Sequence, residues 1–182
     1  FDVIRKSDRL KANTLIVVCS DNGPEPGAGS AGPFRGHKTM LYEGGIRSPL
    51  VVWGLIDPQH VGRVNRESVF SAVDLVPTLF DYLGLDASGH GFSGVSLRPW
   101  IEQPEGAPDR LVYSAMRTQR SATDGRFKLV LEMGSSRRYQ LFDLENDPGE
   151  TRDAGSDHPR VLRTMKIGLD RWIALSEPGS DA

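Results

Sequence analysis

The chain has 182 residues, 22 Lys+Arg against 24 Asp+Glu, a formal net charge of -2 and 38% hydrophobic residues. That near-neutral balance argues against nucleic acid or a membrane surface as partner, and no apolar run reaches the length of a membrane span. One cysteine, Cys19, rules out an internal disulfide, and the length suits one domain or slightly more.

In chain order, Phe1 to Lys11 shows a weak helical pattern, with Val3, Ile4 and Leu10 apolar among charges. It reads as the tail of a helix feeding a strand. Thr14 to Cys19 is an unbroken apolar, β-branched run, predicted as a strand buried on both faces of a parallel sheet. Asp21 and Asn22 fall at its carboxyl end, where open α/β sheets bind ligands. A carboxylate and an amide oxygen side by side suit a hard cation such as Ca²⁺ or Mg²⁺. Asp-Asn-Gly is equally a common turn sequence, and both readings stand on the tripeptide alone.

Gly27 to Gly32 matches G-x-G-x-x-G by letter, but it lies past the strand and runs into Pro33, not a helix. A loop over a site is the expectation. Lys38 follows in a glycine-flanked setting: an anion-binding ammonium, or a solvated loop lysine. Glu43 and Arg47 are spaced for an ion pair, and Gly44-Gly45 for a tight bend.

Pro49 to Gly54 predicts a second buried strand, and Asp57 to Glu67 a polar, turn-rich stretch. Asp74 is placed to cap a helix with Pro77 in its first turn, Leu75, Leu79 and Leu83 as its apolar stripe, and Gly84 as its stop. Residues 86–109 read as a long Gly/Pro/Ser-rich connection, with a turn at Gly94 to Leu97. Leu111 to Ala115 predicts a strand. Phe127 to Leu131 reads as a half-buried strand that forms an antiparallel hairpin with Tyr139 to Asp143. Asp157 is placed to cap a last helix, with Leu162, Met165, Leu169, Trp172 and Ile173 on the face that packs on this sheet. Ser176 to Ala182 reads as a frayed end.

Ser20-Asp21-Asn22-Gly23, then Arg35-Gly36-His37-Lys38, then Tyr42-Glu43-Gly44-Gly45-Ile46-Arg47-Ser48-Pro49 resemble, in this order, the second half of a type I sulfatase. These are the formylglycine-dependent arylsulfatases of the alkaline phosphatase superfamily. Asp74-Leu75-Val76-Pro77-Thr78-Leu79 resembles the family's D-L-x-P-T-L helix, and Gly94-Val95-Ser96-Leu97 its G-x-S-L turn. Leu141 to Glu150 resembles its L-x-D-L-x-x-D-P-x-E close. The resemblance covers nearly the whole chain. It implies an α/β fold: the C-terminal part of an alkaline-phosphatase-like sulfatase domain over 1–98, then a small α+β subdomain over 99–182, an antiparallel sheet with a packed C-terminal helix.

The resemblance also implies sulfuric ester hydrolysis, with Asp21 and Asn22 as ligands of Ca²⁺ and Lys38 as the catalytic, sulfate-binding lysine. Arg35, Glu43 and Arg47 read as loop-bracing residues, and His37 stays outside the catalytic set. The family's C/S-x-P-x-R motif, source of the formylglycine nucleophile, has no match here: Cys19 leads into Ser20-Asp21, and Ser176-Glu177-Pro178 lacks the arginine. An early Asp pair, a second lysine and two histidines are also without a match. The expected partners are therefore a sulfate-ester substrate and the missing N-terminal half of the same fold, with this fragment inactive alone. The alternatives are another superfamily hydrolase (phosphonate monoester hydrolase, phosphodiesterase or sulfamidase) or a non-catalytic, degenerate sulfatase-like module.

Overall fold

The structure, a computed structural model, describes residues 1–55, 61–103 and 105–176. Part of the polar stretch 57–67 and nearly all of the expected frayed end, 177–182, lie outside the described residues. The chain divides into two compact units, Phe1–Ser20 with Pro49–Pro108, and Asp21–Ser48 with Asp109–Ala182.

In the first unit, short helices α1 (Asp2–Arg5) and α2 (Asp8–Lys11) precede β1 (Ile16–Cys19), and Ser7 caps α2 by accepting from the Leu10 N–H at 3.3 Å. Strand β1 pairs with β2 (Leu50–Trp53) in antiparallel register, Val18 opposite Val51. This corrects the parallel, doubly buried expectation for the first run and the buried expectation for the second. Val18 and Val51 are 57% and 58% exposed. An apolar β-branched run reports a strand, but its direction and cover come from the partner it meets, which a local pattern does not encode.

A 3₁₀ turn (Ala72–Asp74) leads into α4 (Leu75–Leu83), which ends at Gly84 in the left-handed conformation, φ 64°. Asp74 is the N-cap residue of α4 as expected, but its side chain bonds elsewhere than to the helix. Fully buried, it closes a capping box by accepting from the Ser71 N–H at 2.8 Å, and it takes the Val95 N–H at 3.0 Å. Thr78 takes the Leu97 N–H at 3.0 Å. The two side chains thus hold the Gly94 to Leu97 turn against α4. A Cβ at Gly94 would overlap the Val73 carbonyl, so the close approach needs glycine. The buried face of α4 is Pro77 and Thr78, and Leu83 of the expected stripe is exposed. Within the stretch read as an open connection lies α5 (Arg98–Glu102), braced by Arg98 to Glu102 at 2.8 Å.

The second unit is built on a four-stranded antiparallel sheet in sequence order: β3 (Val112–Met116), β4 (Gln119–Thr123), β5 (Phe127–Met133) and β6 (Arg137–Asp143). The expected β5–β6 hairpin is present, with Leu129 opposite Leu141. Strand β4, Gln-Arg-Ser-Ala-Thr, carries no apolar alternation and escapes sequence reading, yet most of it is buried. Helix α6 (Pro159–Ser176) covers one face of the sheet, with Met165, Leu169 and Ile173 packed on Leu129, Leu131 and Leu141. It starts at Pro159, and Asp157 pairs with Arg152 instead of capping it. The opposite face is also covered. Val130 and Phe142 pack against Tyr42 and Met40, which come from the glycine-rich segment before α3 (Glu43–Ile46). Strand β5 is therefore buried on both faces, not the half-buried strand that its Lys128 suggested.

Candidate functional site

Residues 21–48 fold as a loop held to the sheet at several points. The Leu41 N–H donates to Gln119 Oε1 at 2.9 Å, and the Tyr42 hydroxyl to Glu132 Oε1 at 3.0 Å. Burial and the Glu132 hydrogen bond push the Tyr42 hydroxyl above its ordinary pKa, so it stays a donor. Arg35 lies 3.8 Å over the Tyr42 ring.

The loop closes on itself through glycines. The Gly44 N–H donates to the Arg35 carbonyl at 2.7 Å and the Gly23 N–H to the Gly45 carbonyl at 2.8 Å. A Cβ at Gly23 would overlap the Gly44 carbonyl oxygen, and one at Gly45 the Met40 carbonyl. The Lys38 N–H donates to the Pro24 carbonyl at 3.0 Å. These bonds hold Gly23 and Pro24, the residues that follow Asp21 and Asn22, to the Gly44-Gly45 bend and the Lys38 turn. That turn is closed by the Met40 N–H on the His37 carbonyl, with Thr39 at φ 78°, a left-handed conformation costly for a β-branched residue.

The Lys38 ammonium is half-exposed and lies 3.0 Å from Glu25 Oε2. The hydrogen bond and charge of Glu25, with a smaller pull from Asp21, hold it above the ordinary lysine pKa, so it is fully cationic at neutral pH. His37 Nδ1 sits 2.7 Å from the Lys38 carbonyl oxygen, a local backbone contact. Asp21 is exposed and Asn22 half-buried. Their oxygens are hard donors of the kind Ca²⁺ takes, so the residues fit part of such a site. Ca²⁺ needs six to eight oxygens, and among the described residues no group of three or more His, Cys, Asp or Glu converges on a metal-sized site.

Beneath the loop lies a cluster that sequence reading missed. Lys128 is fully buried, with its Nζ 3.0 Å from Glu43 Oε1 and 3.0 Å from Glu150 Oε1. The second contact is off the angle of a hydrogen bond, so Glu150 Oε1 is paired by charge alone. Glu43 also takes Arg47 at 2.9 Å, so the expected bracing pair is present and belongs to a larger network. The Glu43 N–H donates to Glu150 Oε2 at 2.6 Å, and Arg35 Nη1 to the Glu150 carbonyl at 3.0 Å. Burial pushes the Glu150 carboxyl above its ordinary value, and the pull of Lys128 does not cancel that. In sequence, the only signal for Glu150 was its place at the end of the Leu141–Glu150 motif.

Residues 2–85 match the Sulfatase family. A pig N-acetylgalactosamine-6-sulfatase is 32% identical over 177 residues, which cover 89% of this chain and 33% of the relative. The chain belongs to the sulfatase family. Its fold agrees with that of solved members. The crystal structure of Ps i-CgsB in complex with k-i-k-neocarrahexaose superposes with a TM-score of 0.77 at 27% identity, over 94% of this chain and 38% of that one. The phosphonate monoester hydrolase of Agrobacterium radiobacter also superposes, with a TM-score of 0.62 at 26% identity, over 93% of this chain and 36% of that one. The chain spans 33% of the length of the pig relative and 37% of that of an N-acetylgalactosamine-6-O-sulfatase of Bacteroides thetaiotaomicron.

Proposed function

We propose that this chain supplies the sulfate-binding part of a sulfuric ester hydrolase site, together with two ligands of its metal. The observation that carries the reading is the Lys38 N–H bond to the Pro24 carbonyl, two residues past Asn22, together with the charge of Asp21 felt at a cationic Lys38. Asp21 and Asn22 would hold Ca²⁺, which when bound supplies positive charge to a sulfate oxygen. Lys38 binds the sulfate and meets the negative charge that grows on the bridging oxygen as the ester bond breaks. Glu25 keeps the ammonium protonated and aimed until an anion takes its place. Arg35, Glu43 and Arg47 brace the loop and take no part in proton transfer. The phosphonate monoester hydrolase likeness is the weaker of the two structural matches, so the sulfate reading stands first.

The nucleophile, a formylglycine, belongs in this reading to an N-terminal half of the same fold. Support comes from the absent C/S-x-P-x-R motif, the partial span against the relatives, and the apolar face that Val18 and Val51 leave exposed. The test is hydrolysis of 4-nitrophenyl sulfate with Ca²⁺. The intact gene product turns the ester over in a Ca²⁺-dependent way, Asp21→Ala abolishes that turnover, and the 182-residue chain alone gives only background. Turnover that follows the short chain through purification and vanishes on Lys38→Ala would place the nucleophile inside these residues. An intact gene product indifferent to both substitutions would overturn the site.

A further inference from the structure

We propose that Glu150 is the positioning residue of Lys38, a clasp that holds both ends of the Lys38 loop from more than a hundred residues away in sequence. Residues 35–44 form a loop whose neck is the Gly44 N–H on the Arg35 carbonyl, with Lys38 inside it. Glu150 grips both sides of that neck. Its carbonyl takes Arg35 at 3.0 Å, and its carboxylate takes the Glu43 N–H at 2.6 Å. The carboxylate is fully buried and anchored to the sheet by Lys128. To present both groups to the neck, the Glu150 backbone adopts φ 51°, the left-handed region that a non-glycine side chain disfavours, and such strain persists where the surroundings enforce it. Asp147 supports it from the other side, taking the Thr151 and Arg152 N–H groups at 2.7 and 2.9 Å. Gripped at its neck, the loop keeps the Lys38 turn on Pro24 and the ammonium on Glu25.

The inference rests on reading Lys38 as the sulfate-binding group, but its test needs no substrate. The readouts are the Lys38 ammonium titration, followed by NMR at its ε-carbon, and exchange of the Glu43 amide, both in the 182-residue chain. Glu150→Asp keeps the charge but shortens the reach. It should speed Glu43 exchange at least about tenfold, as for a lost hydrogen bond to a charged acceptor, and the upward displacement of the Lys38 titration should vanish. Glu150→Gln keeps the reach and the acceptor without the charge, and both readouts should stay near wild type. A residue present only to neutralise Lys128 predicts the reverse order, tolerant of Asp and harmed by Gln, and that result would overturn the proposal. Arg35→Gln, on the exposed side of the neck, guards against a misfolded Glu150→Asp. It should also release the Lys38 titration, and an unmoved titration in that folded variant overturns the clasp. A turnover assay indifferent to Lys38→Ala would instead overturn the role of Lys38 and leave these readouts intact.

Discussion

Lys38 and His37 are adjacent, yet their surroundings give them different work. The Lys38 ammonium is half-exposed beside Glu25, the carboxylate that the proposed role has it exchange for a substrate anion. His37 is turned to the Lys38 carbonyl. In the intact gene product, Lys38→Ala should lower kcat on an aryl sulfate by about a hundredfold or more, as for loss of one group that stabilises transition-state charge. Lys38→Arg should recover only part of this, because a planar fork does not replace a compact point charge. His37→Ala should cost less than about tenfold, since a lost proton transfer would cost about a hundredfold or more. Equal damage from His37→Ala in a folded protein would reverse the two roles.

At the scale of the element, strand β5 carries a lysine in a doubly buried position. Its burial is possible because Glu43 and Glu150 meet the ammonium from the loop side. Lys128→Met leaves two buried carboxylates facing each other and should destabilise the second unit by about 3–5 kcal/mol, the cost of breaking a buried pair. Adding Glu43→Gln and Glu150→Gln should restore most of that in urea denaturation, because a neutral cluster of similar volume no longer needs the cation. A Lys128→Met chain as stable as wild type would mean that the cluster is wet. The same strand marks where sequence reading stops. Alternation between Leu129, Lys128 and Leu131 reports a strand, and the stripe through Met165, Leu169 and Ile173 reports the helix upon it, because both are local patterns. That the Tyr42 loop covers the Lys128 face is a contact between segments some ninety residues apart, and no local period encodes it. Polar β4 was hidden for the same reason: its neighbours make it a strand. Asp21, Asn22 and Lys38 stood out through motif order, whereas Glu25, Lys128 and Glu150 act through partners that only the fold supplies.

For the molecule as a whole, the buried cluster predicts a pH dependence of stability. Glu150 faces Lys128, Glu43 and Arg35, and burial still raises its carboxyl above the unfolded value of 4.5. A raised carboxyl binds its proton more tightly folded than unfolded. The stability it contributes is therefore fully present below the unfolded pKa and is lost as pH rises through the folded one. Asp143 works in the opposite sense. Burial would raise it, but hydrogen bonds from Asn146 and Arg126 outweigh that and hold it below 3.8, so its contribution is lost as pH falls. Asp143 is unchanged in Glu150→Gln, so its effect cancels when that variant is compared with wild type. Urea midpoints measured for the two chains from pH 4 to pH 8 should show wild type losing ground to Glu150→Gln as pH rises above 4.5. The gap should stop widening once Glu150 is fully ionised. A flat difference, or one that favours wild type at high pH, would mean that Lys128 outweighs the desolvation of Glu150 and that the carboxylate sits in this cluster without strain.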